Sequence, residues 1–348
     1  MGAMNNVSFP TAPMREALWP GLALCALLTL GGTALSRLPM LAEAGVSPLV
    51  PALLLGIVAG NLPLARHLSQ TGPGLAFATR RLLRGGIVLF GLSLTLQQVA
   101  GLGPKVLVLD TLVIAGVLAG GYGIGTRLLG LDRDTALLTS AGSAICGAAA
   151  VLATESTIRA RPAATSMAVA TVVLFGSLAM LVYPLLYSLL DLPQGLFGIY
   201  IGATVHEVAQ VVAAGEAVGP EALANAVIVK LVRVMLLVPF LLIVGQWWQQ
   251  RQDGDAEDGD RGGLVIPWFA FGFLAMVAFN SLVALPAPLH AALVQLGQLA
   301  LTMAMAALGF ETRLSRLRAL GPKPFLLALI LFALLVGGGG LASVLIMG

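Results

Sequence analysis

Gly142-Ser-Ala-Ile-Cys-Gly-Ala-Ala-Ala-Val-Leu-Ala-Thr-Glu155 is poor in large apolar side chains, yet it lies between segments long enough to cross a bilayer. Sixty residues on, Gly202-Ala-Thr-Val-His-Glu-Val-Ala-Gln-Val-Val-Ala-Ala-Gly215 has the same shape when glycine is set on glycine. Each runs Gly, small or hydroxyl residues, a polar position, then Val and Ala. Backbone that breaks its helix at membrane depth is tolerated only where protein or a cavity covers it. Transporters place solute sites at such breaks. The rest of the chain reads as a frame holding these two stretches together.

The frame is strongly apolar. Of 348 residues, 58% are hydrophobic and 10% charged, with mean hydropathy +0.95. A soluble domain carries roughly 25% charged residues. The expected fold class is therefore an all-α polytopic membrane protein. Spanning-length runs, of about 20 residues, fall at 18–37, 48–65, 83–100, 106–126, 163–190, 223–247, 264–285, 290–310 and 324–346. With 135–155 and 196–215 they make about 11 membrane segments, with two discontinuous or re-entrant helices. Should both stretches re-enter, nine spans and two hairpins remain, and parity is unchanged. The expected units are a cytoplasmic tail (1–17), a first transmembrane unit (18–247), an acidic linker (248–263) and a second unit (264–348).

Basic residues set the orientation. One side collects Arg15, Arg66, Arg80, Arg81, Arg84, Arg127, Arg133, Arg251, Arg261, Arg313, Arg316, Arg318 and Lys323. The other collects Arg37 and Lys105, joined by Arg159 and Arg161 if 135–155 crosses. A hairpin there would return both arginines to the basic side. The N-terminus is expected in the cytoplasm and the C-terminus outside, with no cleaved signal peptide. The basic residues are topogenic, so the net charge of +3 is no nucleic-acid signal.

An internal repeat is visible at an offset of 218. Gly91-Leu-Ser-Leu-Thr-Leu96 and Leu102-Gly-Pro-Lys105 match Gly309-Phe-Glu-Thr-Arg-Leu314 and Leu320-Gly-Pro-Lys323. Ten of the 39 positions from 85 to 123 are identical. One residue of slip pairs Asn61 with Asn280. Lys105 falls outside and Lys323 inside, so the repeat is inverted, the arrangement that supports alternating access.

Ionisable residues at membrane depth mark sites by default. His206 and Glu207 are adjacent, with Thr204 before them and Gln210 a turn later. If 206–215 is a half-helix, they stand at its N-terminus, where free N–H groups and the positive dipole end favour anions. Glu207 then reads as a capping charge, as an ion-coupling group, or as a wet residue near the interface. The first stretch offers Ser140, Gly142, Ser143, Cys146 and Gly147, where small residues also permit tight helix crossing. Glu155 can pair with Arg159 at i, i+4 or join the coupling set. Lys230 and Arg233 either balance charge at the site or snorkel. The expected substrate-binding set is Ser140, Gly142, Ser143, Cys146, Gly147, Gly202, Thr204 and Gln210; the coupling set is His206, Glu207 and Glu155.

No nucleotide-binding glycine motif, His-Glu-x-x-His or nucleophile elbow occurs. Two cysteines, Cys25 and Cys146, form no metal-ligand spacing. No cofactor or metal is expected, and no enzymatic activity. An intramembrane enzyme using His206 and Glu207 is the rival reading from another class. The expected partners are a small anionic solute and the lipid bilayer, and a homodimer is compatible with the sequence.

Residues 141–155, 198–215 and Met303-Ala-Met-Ala-Ala-Leu-Gly309 resemble the signature stretches of the bacterial YeiH-type family. These are inner-membrane proteins whose family-level label is sulfate exporter. The resemblance runs from about residue 15 to the C-terminus. It implies a distant relation to the sodium/proton antiporter and bile-acid symporter superfamily, with inverted repeats, two discontinuous helices crossing at the substrate site and elevator-like movement. In this chain the two breaks flank 163–190 instead of occupying equivalent places in the 218-offset repeat. The expectation is a secondary transporter of sulfate or an organosulfonate in a bacterial inner membrane; a sodium-coupled carrier of another solute is the alternative.

Overall fold

A computed structural model describes residues 18–39, 41, 47–63, 68–249, 268–312 and 321–348. The tail, most of the acidic linker and Arg313–Arg318 lie outside these residues. The described chain is helical throughout. Six helices are long and apolar enough to cross a membrane: Trp19–Ser36, Lys105–Leu128, Pro162–Tyr187, Pro220–Trp248, Ala287–Glu311 and Pro322–Met347. Shorter apolar helices accompany them.

In chain order, α1 is Trp19–Ser36 and α2 is Leu49–Asn61. Gly72–Phe77, Ala78–Leu82 and Leu83–Phe90 run on as α3. The apolar run at 83–100 placed this segment too late. Arg80, Arg81 and Arg84 lie on the helix instead of before it, and the Arg84 guanidinium sits 5.7 Å over the Phe269 ring, a cation–π contact. A short α4, Leu96–Gly101, opens with a Thr95–Gln98 capping box. Lys105–Leu128 is α5.

Two broken segments follow. Arg133–Ala144 (α6) and Ala148–Ile158 (α7) are separated at Ile145–Gly147. Their lengths, 12 and 11 residues, give arms of about 16–18 Å, roughly half the 30 Å hydrocarbon thickness. The segment folds back on itself: Arg161, just past α7, pairs at 2.6 Å with Asp132, just before α6, and at 3.4 Å with Asp134. After α8 (Pro162–Tyr187) the pattern recurs. Gln194–Thr204 (α9) and Val208–Val218 (α10) are interrupted at Val205–Glu207. Gln194, at the start of α9, donates to the Val218 carbonyl at the end of α10 and accepts from the Glu221 N–H. Each broken segment therefore begins and ends at the same end of the molecule.

Pro220–Met235 (α11), Leu237–Gln249 (α12), Trp268–Leu282 (α13), Ala287–Glu311 (α14) and Pro322–Met347 (α15) complete the chain. The 218-offset repeat has a physical counterpart. Asn61 donates to the Thr312 carbonyl at 2.9 Å, and Asn280 donates to the Leu94 carbonyl at 3.0 Å. Leu94 and Thr312 are repeat mates, as are Asn61 and Asn280. Gly309 packs on the Leu53 carbonyl and Ile57 nitrogen, and Gly91 on the Phe273 carbonyl and Val277 nitrogen. A side chain at either glycine would strike a neighbouring backbone. Lys323 lies by Gly130 at the far end of α5 from Lys105, so the two lysines occupy opposite ends, as an inverted repeat requires.

The helices sort into two groups by packing. α1, α2, α3, α13 and α14 pack on one another. α5, both broken segments, α8, α11, α12 and α15 form the second bundle. The two meet along a thinner seam, where α10 touches α2 and α14 and α11 touches α13.

Candidate functional site

The breaks meet tip to tip. The hairpin 133–158 starts from the end of the molecule that carries Gly130 and Lys323; the hairpin 194–218 starts from the other, where Gly348 packs on Leu196. At each tip the chain exposes the orphan groups of two helix ends: C-terminal carbonyls from α6 and α9, N-terminal N–H groups from α7 and α10. Different residues satisfy the two kinds.

The carbonyls go to α11. Lys230 Nζ donates to the Ile145 carbonyl at 2.6 Å and the Val205 carbonyl at 2.7 Å, residues that correspond in the sixty-residue alignment. Arg233 Nε donates to the Ala144 carbonyl at 2.6 Å, Nη1 to the Ala203 carbonyl and Nη2 to the Ser143 carbonyl at 3.4 Å. Both cations have no exposed surface. The snorkelling alternative is therefore excluded. Two helix dipoles that point their negative ends at one place repel, and two buried cations between them reverse the sign.

The N–H groups go to Glu207. Its Oε1 accepts from the Ala148 N–H, at the start of α7, at 3.2 Å. It also caps its own helix α10 in a reciprocal box with Gln210, whose Oε1 accepts from the Glu207 N–H at 3.0 Å. One carboxylate thus serves two converging helix N-termini. Gly147 makes room for it. This residue has φ +67°, and a Cβ there would run into Glu207 Cγ. The Ala148 N–H, which an incoming anion could otherwise take, is bonded to Glu207, the capping role that was one of the alternatives open to this residue. Glu207 and Ala148 are half-buried and Ala149 is exposed, and Glu207 is within Coulombic reach of Glu311 on α14. This side of the tips faces the seam between bundles.

The other residues divide. Ser143, Cys146, Thr204, His206 and Gln210 are buried at the tips. Ser143 Oγ, both His206 ring nitrogens and Gln210 Nε2 have no hydrogen-bond partner among the described residues; His206 stacks on Phe332 with centroids 6.5 Å apart. Thr204 is committed elsewhere: its hydroxyl accepts from Tyr183 at 2.8 Å and donates to the Tyr200 carbonyl. Ser140 donates back to the Ala136 carbonyl at 2.6 Å. Gly142 and Gly202 serve close packing, against Val151 and Val172 and against Ala226 and Val229. Glu155 lies eight residues beyond Gly147, about 12 Å along α7, and does not join the tips.

Sequence reading missed three features. Asp110 on α5 is fully buried and within Coulombic reach of Arg233 and Lys230; a lone carboxylate inside the apolar run 106–126 was the available signal. Tyr183 and Tyr200, with ring centroids 4.9 Å apart, brace the tip of α9, and Tyr200 donates to the Val336 carbonyl within the π-helical turn Leu335–Gly339 of α15. The Arg161 clasp was legible only as an excess of charge on one side.

The model of a family described as conserved hypothetical protein 698 matches residues 20–328. The chain is 45% identical over 344 residues to the UPF0324 inner membrane protein YeiH of Escherichia coli K12, covering 97% of each. It is 46% identical over 338 residues to a UPF0324 membrane protein of Pseudomonas aeruginosa, covering 95% of each, and 46% identical over 339 residues to YeiH of Salmonella typhi, covering 95% of this chain and 96% of that one. The chain belongs to the YeiH-type family. No solved structure matches it. YeiH-type relatives are named as inner membrane proteins, which agrees with the helices long enough to span.

Proposed function

We propose that the protein is a secondary transporter of a small anion, sulfate or an organosulfonate, in a bacterial inner membrane. The observation that carries the proposal is the Glu207 carboxylate on the N–H of Ala148 while it caps α10. An oxyanion already sits where two helix N-termini converge, and it stands in for a solute oxyanion. Transport then requires exchange: the solute takes the N–H groups as Glu207 leaves them. Ser143, His206 and Gln210 carry buried polar atoms free to contact it. Lys230 and Arg233 hold the hairpins together and keep the site positive.

On this reading the chain has eleven membrane segments, nine crossings and two hairpins that enter from opposite sides. The N-terminus is cytoplasmic and the C-terminus is outside. Arg159 and Arg161 return to the basic side. The hairpin-bearing bundle moves against the bundle of α1–α3, α13 and α14 along the thin seam that Glu207 faces. An enzymatic role for His206 and Glu207 is disfavoured by Glu207's commitment to two helix caps.

Counterflow of labelled sulfate, with labelled taurine in parallel, tests the proposal in proteoliposomes. Wild type should exchange at least one of them. Glu207→Gln should lower the KM several-fold, because the competing charge is gone while the amide oxygen still caps. Folded wild-type protein that exchanges neither anion would end this reading, as would an unaltered KM in the variant.

A further inference from the structure

Asp110 belongs to neither the capping cations nor the hairpin tips, and it is a fully buried carboxylate in the second bundle. It sits on the sixth residue of α5, at membrane depth, with no exposed surface. Neither carboxylate oxygen has a hydrogen-bond partner among the described residues. A buried ionised carboxylate without donors is penalised heavily. The repeat mate of Asp110 is Ala328, so the shared helix does not by itself call for an acid at this position.

The charged groups around it narrow its role. α11 brings Lys230 and Arg233 within Coulombic reach, but their donors go to helix-end carbonyls. α9, which also packs on α5, brings Tyr200; its hydroxyl is given to Val336. α6 brings Arg133 and Asp134 and α15 brings Lys323, all three at the opposite end of α5. On α5 itself Lys105 is exposed, five residues away. Asp110 is thus set near two positive charges without being tied to either.

We propose that Asp110 is a proton-binding site, the group that takes up the coupling proton when the anion loads. The role in coupling rests on the anion-carrier reading. Lys230, Arg233, Glu207 and Asp110 sum to zero when all are ionised. Adding a proton from water to the Asp110 carboxylate, to give the neutral acid, leaves the bundle one positive charge richer. A monoanion, or one charge of sulfate, balances it. Uptake of anion and proton in the same direction keeps the moving bundle close to neutral in both loaded and empty forms.

Two measurements on the full-length protein test this. The first is independent of any solute: pH-difference infrared spectroscopy of purified wild type, Asp110→Asn and Glu207→Gln. A carboxylic-acid carbonyl band that titrates in wild type, persists in Glu207→Gln and vanishes in Asp110→Asn is expected. Identical difference spectra for wild type and Asp110→Asn would overturn the proposal. Asp110→Glu, which keeps the acid, should restore a shifted band; if Asp110→Asn does not fold, absence of any shift in Asp110→Glu counts against it equally. The second is labelled-sulfate flux in proteoliposomes. Asp110→Asn should retain counterflow at equal pH and lose stimulation by a pH gradient. Retained stimulation would refute the coupling role and leave the anion carrier standing. If wild type carries neither sulfate nor taurine, the carrier reading fails and the infrared result alone decides whether Asp110 binds the proton.

Discussion

Asn61 and Asn280 do the same job for each other's half of the protein. Each side-chain amide closes on a carbonyl where the opposite repeat leaves its helix, Asn61 on Thr312 and Asn280 on Leu94. Neither bond is local in sequence, so each ties a helix of one repeat to the chain reversal of the other. Asn61→Ala and Asn280→Ala should each cost about 0.6–1.7 kcal/mol, the range for side-chain hydrogen bonds between membrane helices. Their effects should add, because the two bonds share no partner. Titration with a denaturing detergent, followed by circular dichroism, checks this; a double variant no worse than either single one would contradict it.

Lys230 should be the most expensive side chain in the bundle to remove. Lys230→Met leaves the Ile145 and Val205 carbonyls without a donor and Arg233 as the one cation between the two helix ends. Each buried acceptor left without a donor costs about 1–3 kcal/mol, so the purified variant should melt well below wild type. Arg should not restore stability, because a second bulky guanidinium must fit beside Arg233 in the fully buried place of a compact ammonium. A Lys230→Met protein with wild-type melting would show that the carbonyls find other donors.

Gly147→Ala combines two faults. It forces a side chain into a positive-φ conformation and drives Cβ against Glu207 Cγ. Backbone strain alone amounts to about 1–3 kcal/mol. Displacement of Glu207 from the Ala148 N–H should also alter solute exchange more than stability. Sulfate counterflow measured beside a melting curve separates the two: an unchanged KM would mean that Glu207 keeps its place.

The hairpin reading makes a topological prediction. In a background without Cys25 and Cys146, a cysteine at exposed Arg159 should react with a membrane-impermeant thiol reagent only from the cytoplasmic face, together with one at Arg133. A cysteine at Glu221 should react only from the opposite face. Labelling of position 159 from outside would mean that 133–158 crosses.

Much of this architecture was legible in the sequence, and for physical reasons. The small-residue stretches could not face lipid, and aligning them at Gly142 and Gly202 paired Ile145 with Val205, the two carbonyls that Lys230 joins. The recurring Leu-Gly-Pro-Lys located the repeat whose asparagines are exchanged. What composition could not supply was direction. Whether Glu207 offers its N-terminus to a solute or fills it, and whether Lys230 reaches outward or into the tips, depends on side-chain placement that no local pattern encodes. Asp110 escaped notice because one carboxylate scarcely lowers the hydropathy of a 24-residue helix.

The clasp of Lys230 on Ile145 also sets a timetable for synthesis. The two residues are 85 positions apart, so at roughly 5–20 residues per second the ribosome takes about 4–17 seconds to deliver the lysine after the isoleucine. During that interval the Ile145 carbonyl at the tip of the first hairpin has no Lys230 to donate to it. It must be sheltered, by an insertase, by water or by lying shallow, until α11 arrives. Completion of α11 is the moment at which the tip of the first hairpin gains its donors.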